Sequence, residues 1–181
     1  MLQQGTEMIL QQYAPNARDT WRWRLAEFSD VVPITIMANE IYGAEVDGIF
    51  TQDTRRMAYH VDMAVTRQRY YLTQEQLIVA EHKESKCLLA YAWISRGGTT
   101  PYADEEMAEA KFAHIDLSLP VVTRVKLMAQ ILQQWVLWCQ ISGIPVLVST
   151  TIREDQAGFL KLHDQAGFQR RGSFAYLRTD Q

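Results

Sequence analysis

The sequence predicts a single domain of the α/β class, helices laid against a central sheet. Three observations carry this. Ile144–Arg178 reads as strand, short helix and strand. Glu75–Leu119 holds three strand-like runs in succession. Between them, Val121–Ser142 is a long apolar stretch with helical character. A chain of 181 residues suffices for one such domain, and its first 18 residues read as an arm before a domain spanning 19–181.

In chain order, Met1–Arg18 is rich in Gln and contains Pro15 and Asn16. Such an arm is commonly disordered or docked on a partner. Trp21–Phe28 alternates large apolar and charged residues as far as Arg24, the pattern of a first strand. Ser29 and Asp30 are helix-capping types, and Val31–Tyr42 reads as a helix ending at Gly43. Thr51–Tyr71 reads as a second helix, with Thr51 a candidate cap and Met57, Val61, Ala64 and Val65 on one face. Glu75–His82 and Lys86–Ser95 are strands joined by a polar turn at Lys83–Ser85, and Arg96–Pro101 reads as a loop.

Ala108–Leu119 is a fourth strand with period-two alternation, which puts His114, Asp116 and Ser118 on one face. Val121–Ser142 is the longest helix and Gly143 closes it. Trp135 and Trp138, three apart on it, mark a core face, and Trp21 and Trp23 share one face of the first strand. Ile144–Val148 is a buried strand. A short helix carrying Phe159, Leu160, Leu162 and His163 ends at Gly167, where glycine takes a left-handed cap without steric cost. A last strand follows.

The hydrophobic fraction is 48%, the charged fraction 22% and the net charge −3, which gives no electrostatic grip on nucleic acid or an anionic membrane. No apolar run is long enough to span a bilayer, and the first residues lack the basic start and apolar core of a secretory signal, so the expected location is cytoplasmic. Cys87 and Cys139 show no disulfide or metal spacing and are expected to be reduced, buried thiols; no metal site is predicted.

Strand–helix–Gly-Phe–strand near the C-terminus, with Ala166-Gly167-Phe168, resembles the last third of the GCN5-related N-acetyltransferases, the GNAT superfamily. The whole element order over about residues 20–178 is similar to that fold, a mixed and mostly antiparallel sheet flanked by helices. The resemblance implies acetyl-CoA as cofactor and an amine, small molecule or peptide, as acceptor. It also implies direct attack in a ternary complex, without an acyl-enzyme.

That chemistry needs backbone N–H groups at a helix N-terminus for the pyrophosphate, a donor for the thioester carbonyl, a base for the amine and an acid for the thiolate. The family's pyrophosphate loop, Q/R-x-x-G-x-G/A, falls on Val122–Ala129. Arg124 and Lys126 stand where basic residues are common and Ala129 matches the final small residue, while Val125 and Leu127 replace the glycines. The stretch is either a cradle gripping phosphate by charge or plain helix.

The resemblance places the thioester on the backbone of Leu117, Ser118 and Leu119 and puts Gln156 where the family commonly has Asn. Asp116 or Glu81 is the implied base, with His114 and His82 beside them; His114 and Glu81 also have ordinary structural readings. His163 stands in Leu162-His163-Asp164-Gln165-Ala166-Gly167-Phe168, where many members have a Tyr that protonates the thiolate and some antibiotic- and herbicide-detoxifying members have L-H-x-x-x-G-F. It is either that acid or a histidine packed at the helix–sheet seam. Tyr70 and Tyr71 fall near where the family shapes its acceptor pocket.

A second function fits the same residues. Thr151–Phe168 is similar to acetyltransferase-like proteins of short-tailed bacteriophages, some found with the virion. This implies a GNAT-fold assembly protein that binds no cofactor and reaches a protein partner or a second copy through residues 1–18; if phage-encoded, it would reside in the virion.

Overall fold

The computed structural model describes residues 19–46, 49–151 and 156–172. Five strands form one sheet in the order β1 (Trp21–Leu25), β2 (Glu75–His82), β3 (Leu88–Thr100), β4 (Ala103–Ile115), β5 (Val146–Val148). The first four are antiparallel neighbours and β5 is parallel to β4. The helices are α1 (Val31–Val46), α2 (Thr54–Tyr70), α3 (Val121–Ser142) and α4 (Ala157–Gln165). A parallel pair needs a crossover, and α3 supplies it between β4 and β5.

Both faces of the sheet are covered, so its central strands read as apolar runs rather than as alternation. Ile78, Ala80, Ala92 and Ile94 pack with Leu127, Ile131, Trp135 and Trp138 of α3, and Phe159 and Leu162 of α4 join this side. Leu77, Val79 and Tyr91 face the other way, onto Ile34, Ile41, Val61 and Val65 of α1 and α2. Trp135 and Trp138 are fully buried. Truncating either to Ala would cost roughly 3–5 kcal/mol.

Several boundaries differ from the sequence expectation, each for a local reason. Gly43 does not end α1, which runs to Val46. The cap of α2 is Asp53, whose Oδ1 accepts the Arg56 N–H, in place of Thr51. Arg96–Pro101 is not a loop. β3 and β4 form one long hairpin that turns at Pro101-Tyr102, with Gly98 paired to Met107 and Thr100 to Ala103. Its outer part is exposed and polar, so its composition imitates a loop. At Gly98 a Cβ would sit 3.2 Å from the Met107 carbonyl oxygen and against the Glu109 side chain, a tight approach that glycine avoids.

β4 also starts earlier and stops earlier than expected. Asp116 Oδ1 accepts the Ser118 N–H, an Asx turn that ends the strand before Pro120. Asp116 and Ser118 therefore do not continue the alternating face of His114. Gly143 caps α3 at φ 70° and Gly167 follows α4 at φ 87°, as read from the sequence. Cys87 is exposed, not buried; Cys139 is buried, and both are free. The N-terminal arm and most of the last expected strand lie outside the described residues.

Candidate active site

β4 and β5 pair only at Met107–Val146, Ala108–Leu147 and Glu109–Val148. Beyond Glu109 the two strands part. The opening is a groove of about 590 Å³, within the range of small-ligand sites. One wall is Ala110–Ile115 with Leu117, the other is Ser149–Thr151, and Val121, Arg124, Val125, Met128 and Trp135 of α3 and Gly158, Phe159 and Leu162 of α4 close it. A bulge widens it: Trp93 pairs with Phe112 but Ile94 with Ala110, so Lys111 is the extra residue.

The N-terminus of α3 opens on this groove. Arg124 is the residue whose N–H reaches Pro120 O, at 3.0 Å, and Pro120 contributes no side-chain cap. The amides of the preceding turn are thus the helix's open donors, and the helix dipole adds positive character. Arg124 lines the groove with its Nε buried and without a hydrogen-bond partner, as is the Trp135 indole N–H. Val125 lines the same end and is 44% exposed, whereas Leu127 is wholly buried in the core and away from the groove.

One histidine lines the groove and a second stands behind its opposite wall. His114 lines it from β4, and its Nδ1 is 2.7 Å from the buried Tyr91 hydroxyl, its cross-strand partner. Tyr91 and Phe112 pack edge-on against the imidazole. His163, on α4 and 3% exposed, stands behind the opposite wall. Its Nδ1 is 2.8 Å from Phe159 O and its Nε2 is 2.8 Å from Ser149 Oγ. A carbonyl only accepts, so Nδ1 carries the proton and Nε2 accepts from the serine. Burial holds the imidazole below its ordinary pKa, against the smaller raising effects of the Phe159 carbonyl and Asp164. In this arrangement His163 has no proton to give to the groove, and the Ser149 hydroxyl hydrogen is turned toward the imidazole.

The other expected site residues fall elsewhere. Glu81 is 6% exposed and does not line the groove. Arg22 grips it at 2.8 and 3.0 Å, and Arg24 at 2.9 and 3.1 Å while also holding both oxygens of Asp30. Burial pushes the Glu81 carboxyl up, but the two guanidiniums outweigh it and leave the group below its usual range. A carboxylate so held is a poor proton acceptor. Lys126 pairs with buried Asp19 and lies over the Trp21 ring; Gln130 completes that cluster by donating to Asp19 and accepting from both Trp21 and Trp23.

Asp116, Ser118, Leu119, Ala129 and Gln156 are not groove residues, and neither are the exposed Tyr70 and Tyr71. The groove therefore gathers Leu117 and Arg124 directly and His163 through Ser149. Ser149 went unread in the sequence. Its one signal is its place, first after an apolar strand and 14 residues before His163.

No protein-family model matches the sequence, and no curated protein sequence matches it. Solved structures do match in shape. Glucosamine-6-phosphate N-acetyltransferase from Arabidopsis thaliana superposes with a TM-score of 0.61 at 12% identity, over 90% of this chain and 100% of that one. A putative acetyltransferase from Salmonella typhimurium, solved with its cofactor acetyl-CoA, gives 0.61 at 18% identity, over 90% and 88%. An aminoglycoside N-acetyltransferase in complex with CoA gives 0.63 at 11% identity, over 92% and 99%. The chain thus has the GNAT fold, a mixed, mostly antiparallel sheet flanked by helices. Among the described residues, no helix is long and apolar enough to cross a membrane.

Proposed function

We propose that this chain is an N-acetyltransferase that moves the acetyl group of acetyl-CoA to an amine. One observation carries the reading: the groove between the parting strands joins an open helix N-terminus and an arginine whose buried Nε lacks a partner, at one end, to a tyrosine-supported histidine on its wall. Arg124 and the first amides of α3 would hold the diphosphate, the orphaned Arg124 Nε being the group that asks for an anion. Acetyl-CoA supplies an activated acyl carbonyl.

The chain's own part is to bind, orient and move protons. His114, its Nδ1 against the Tyr91 hydroxyl, sets an imidazole on the groove wall, where it would take a proton from the acceptor amine. Past Glu109 the groove-side edge of β4 has no strand partner among the described residues, and its amides are the donors left for the acyl oxygen. Leu117 and Val125 cover the groove with apolar surface and help exclude water.

Val125 also favours the second reading, a GNAT-fold assembly protein without cofactor. Its side chain occupies the end where the diphosphate must come close to backbone. Thermal unfolding with acetyl-CoA separates the two. At free cofactor well above its dissociation constant, a binder gains roughly 2–4 kcal/mol of stability. A midpoint that does not move at millimolar acetyl-CoA removes the transferase reading. His114→Gln in a binding protein should lower turnover by about 10²–10⁴-fold while leaving acetyl-CoA affinity unchanged.

A further inference from the structure

Ser149 follows the last residue of β5, and Val148 makes the final pair with β4. It therefore stands at the apex of the opening, on the wall facing Ala110–Ile115. Behind it the imidazole of His163 is fixed on every side. Nδ1 is tied to the Phe159 carbonyl, the Phe159 ring lies 3.9 Å away between centroids, and the Phe168 ring stands edge-on at 4.8 Å. The free lone pair of Nε2 points at Ser149 Oγ, 2.8 Å off. A hydroxyl bonded to a neutral imidazole that a third group orients is the arrangement of an activated serine nucleophile.

We propose that Ser149 is an acyl-accepting nucleophile, with His163 as its base, so that the acetyl group rests on the protein before it reaches its acceptor. This rests on the groove holding an acyl thioester. Ser149 Oγ bonds to the acyl carbon as the carbon–sulfur bond breaks. The Oγ proton passes to His163 Nε2 and from there to the departing sulfur, leaving O-acetylserine, a free thiol and a neutral imidazole. The acceptor amine, or water in its absence, then attacks the ester carbon. On this route its proton goes to His163 in place of His114, and His163 returns it to Ser149 Oγ as the carbon–oxygen bond breaks. His163 exchanges these protons itself and is the base of both steps.

The test uses the full chain and two probes. A fluorophosphonate reports an activated serine without any need for CoA binding. Acetyl-CoA in amine-free buffer, followed by peptide mass mapping, reports acetyl transfer to the protein, and calorimetry on the same sample reports acetyl-CoA binding. Both labels should fall on Ser149 and vanish in Ser149→Ala. Ser149→Cys, which keeps a nucleophile of similar size, should still be acetylated. His163→Gln should slow labelling by about 10²-fold or more. In the wild type the labelling rate should be flat above pH 7 and fall only on the acid side of the ordinary imidazole value of about 6.5, because the neutral ring is the base.

Bound acetyl-CoA with no fluorophosphonate or acetyl on Ser149 overturns the proposal and leaves direct transfer standing. Fluorophosphonate on Ser149 with no acetyl-CoA binding instead overturns the transferase reading and keeps the activated serine. Equal labelling of wild type and His163→Gln overturns the role of the base, and a folded Ser149→Cys that binds acetyl-CoA but takes no acetyl group overturns the acyl-accepting site.

Discussion

Arg124 and Lys126 stand two residues apart on one helix and end in opposite situations. A step of two along an α-helix is a rotation of about 200°, so one side chain faces the groove and the other the β1 edge. At that edge the buried polar groups described above are paired: Lys126 and Gln130 on Asp19, Trp21 and Trp23 on Gln130, Arg22 and Arg24 on Glu81, Arg24 on Asp30. In the groove, Arg124 Nε and the Trp135 indole N–H are buried and unpaired. A buried donor without a partner costs about 1–3 kcal/mol unless something else satisfies it. The paired cluster is therefore finished structure, and the groove is the place where a ligand would complete the hydrogen bonding. Outside the groove the Gln76 amide, Gln134 Oε1 and Ser142 Oγ are also buried without a partner, and nothing in the structure explains them.

The sharpest way to break this contrast is to cut the paired cluster. Arg24→Ala leaves two buried carboxylates, Glu81 and Asp30, short of their shared cation. Removing one partner of a buried ionic group costs roughly 3–5 kcal/mol, so urea unfolding should show a loss near the low end of that range, Arg22 still holding Glu81. The protein that remains folded should keep its affinity for acetyl-CoA. A variant as stable as the wild type would mean that the cluster is solvated in solution and holds no more of the fold than the groove does.

Next in size is the pair on α3. Arg124→Ala should weaken acetyl-CoA by about 10- to 100-fold, the loss of charge-assisted hydrogen bonds worth about 1.5–3 kcal/mol. Its unfolding free energy should stay within about 0.5 kcal/mol of wild type. Lys126→Ala should do the reverse, costing about 1 kcal/mol of stability for a half-exposed partner of a buried carboxylate, with calorimetric affinity unchanged. Equal effects of the two on binding would show that both reach the diphosphate, as expected from the sequence alone.

That expectation shows where sequence reading stops. The fold was legible because its elements are long and their periods clean: Val61, Ala64 and Val65 fall on one buried face of α2, and Trp135 and Trp138 on one buried face of α3. Boundaries failed where composition and pairing disagree, as in the polar outer half of the β3–β4 hairpin. Strand alternation puts Asp116 on the face of His114, but the Asx turn at Asp116 ends β4 at Ile115 and breaks that alternation. Glu81 and Lys126 have the right chemistry for a site, but their partners, Arg24 and Asp19, are 57 and 107 residues away in the chain. A spacing argument cannot see a partner at that distance. His163 was singled out through its Gly-Phe context, yet Ser149, which decides what that histidine can do, has no motif of its own.

The smallest predicted effect sharpens the contrast through pH. His163 is folded as a buried neutral imidazole, with its pKa pushed below the ordinary value by burial. The unfolded chain therefore binds that proton first as pH falls. Where the unfolded state holds more protons, stability rises with pH, so the His163 contribution is complete above about pH 6.5 and is lost as the pH drops from there through the folded value. Glu81, held down by its two arginines against the effect of burial, gives the same sign in a lower window, below the usual carboxylate range of about 4.3. Urea midpoints measured from pH 8 to pH 5 should thus fall gently for the wild type. In His163→Gln that slope should flatten between pH 7 and 5, because the glutamine binds no proton in either state. An unchanged slope in the variant would mean that folding leaves the proton affinity of the imidazole where it is in the unfolded chain, and that burial does not hold the ring neutral.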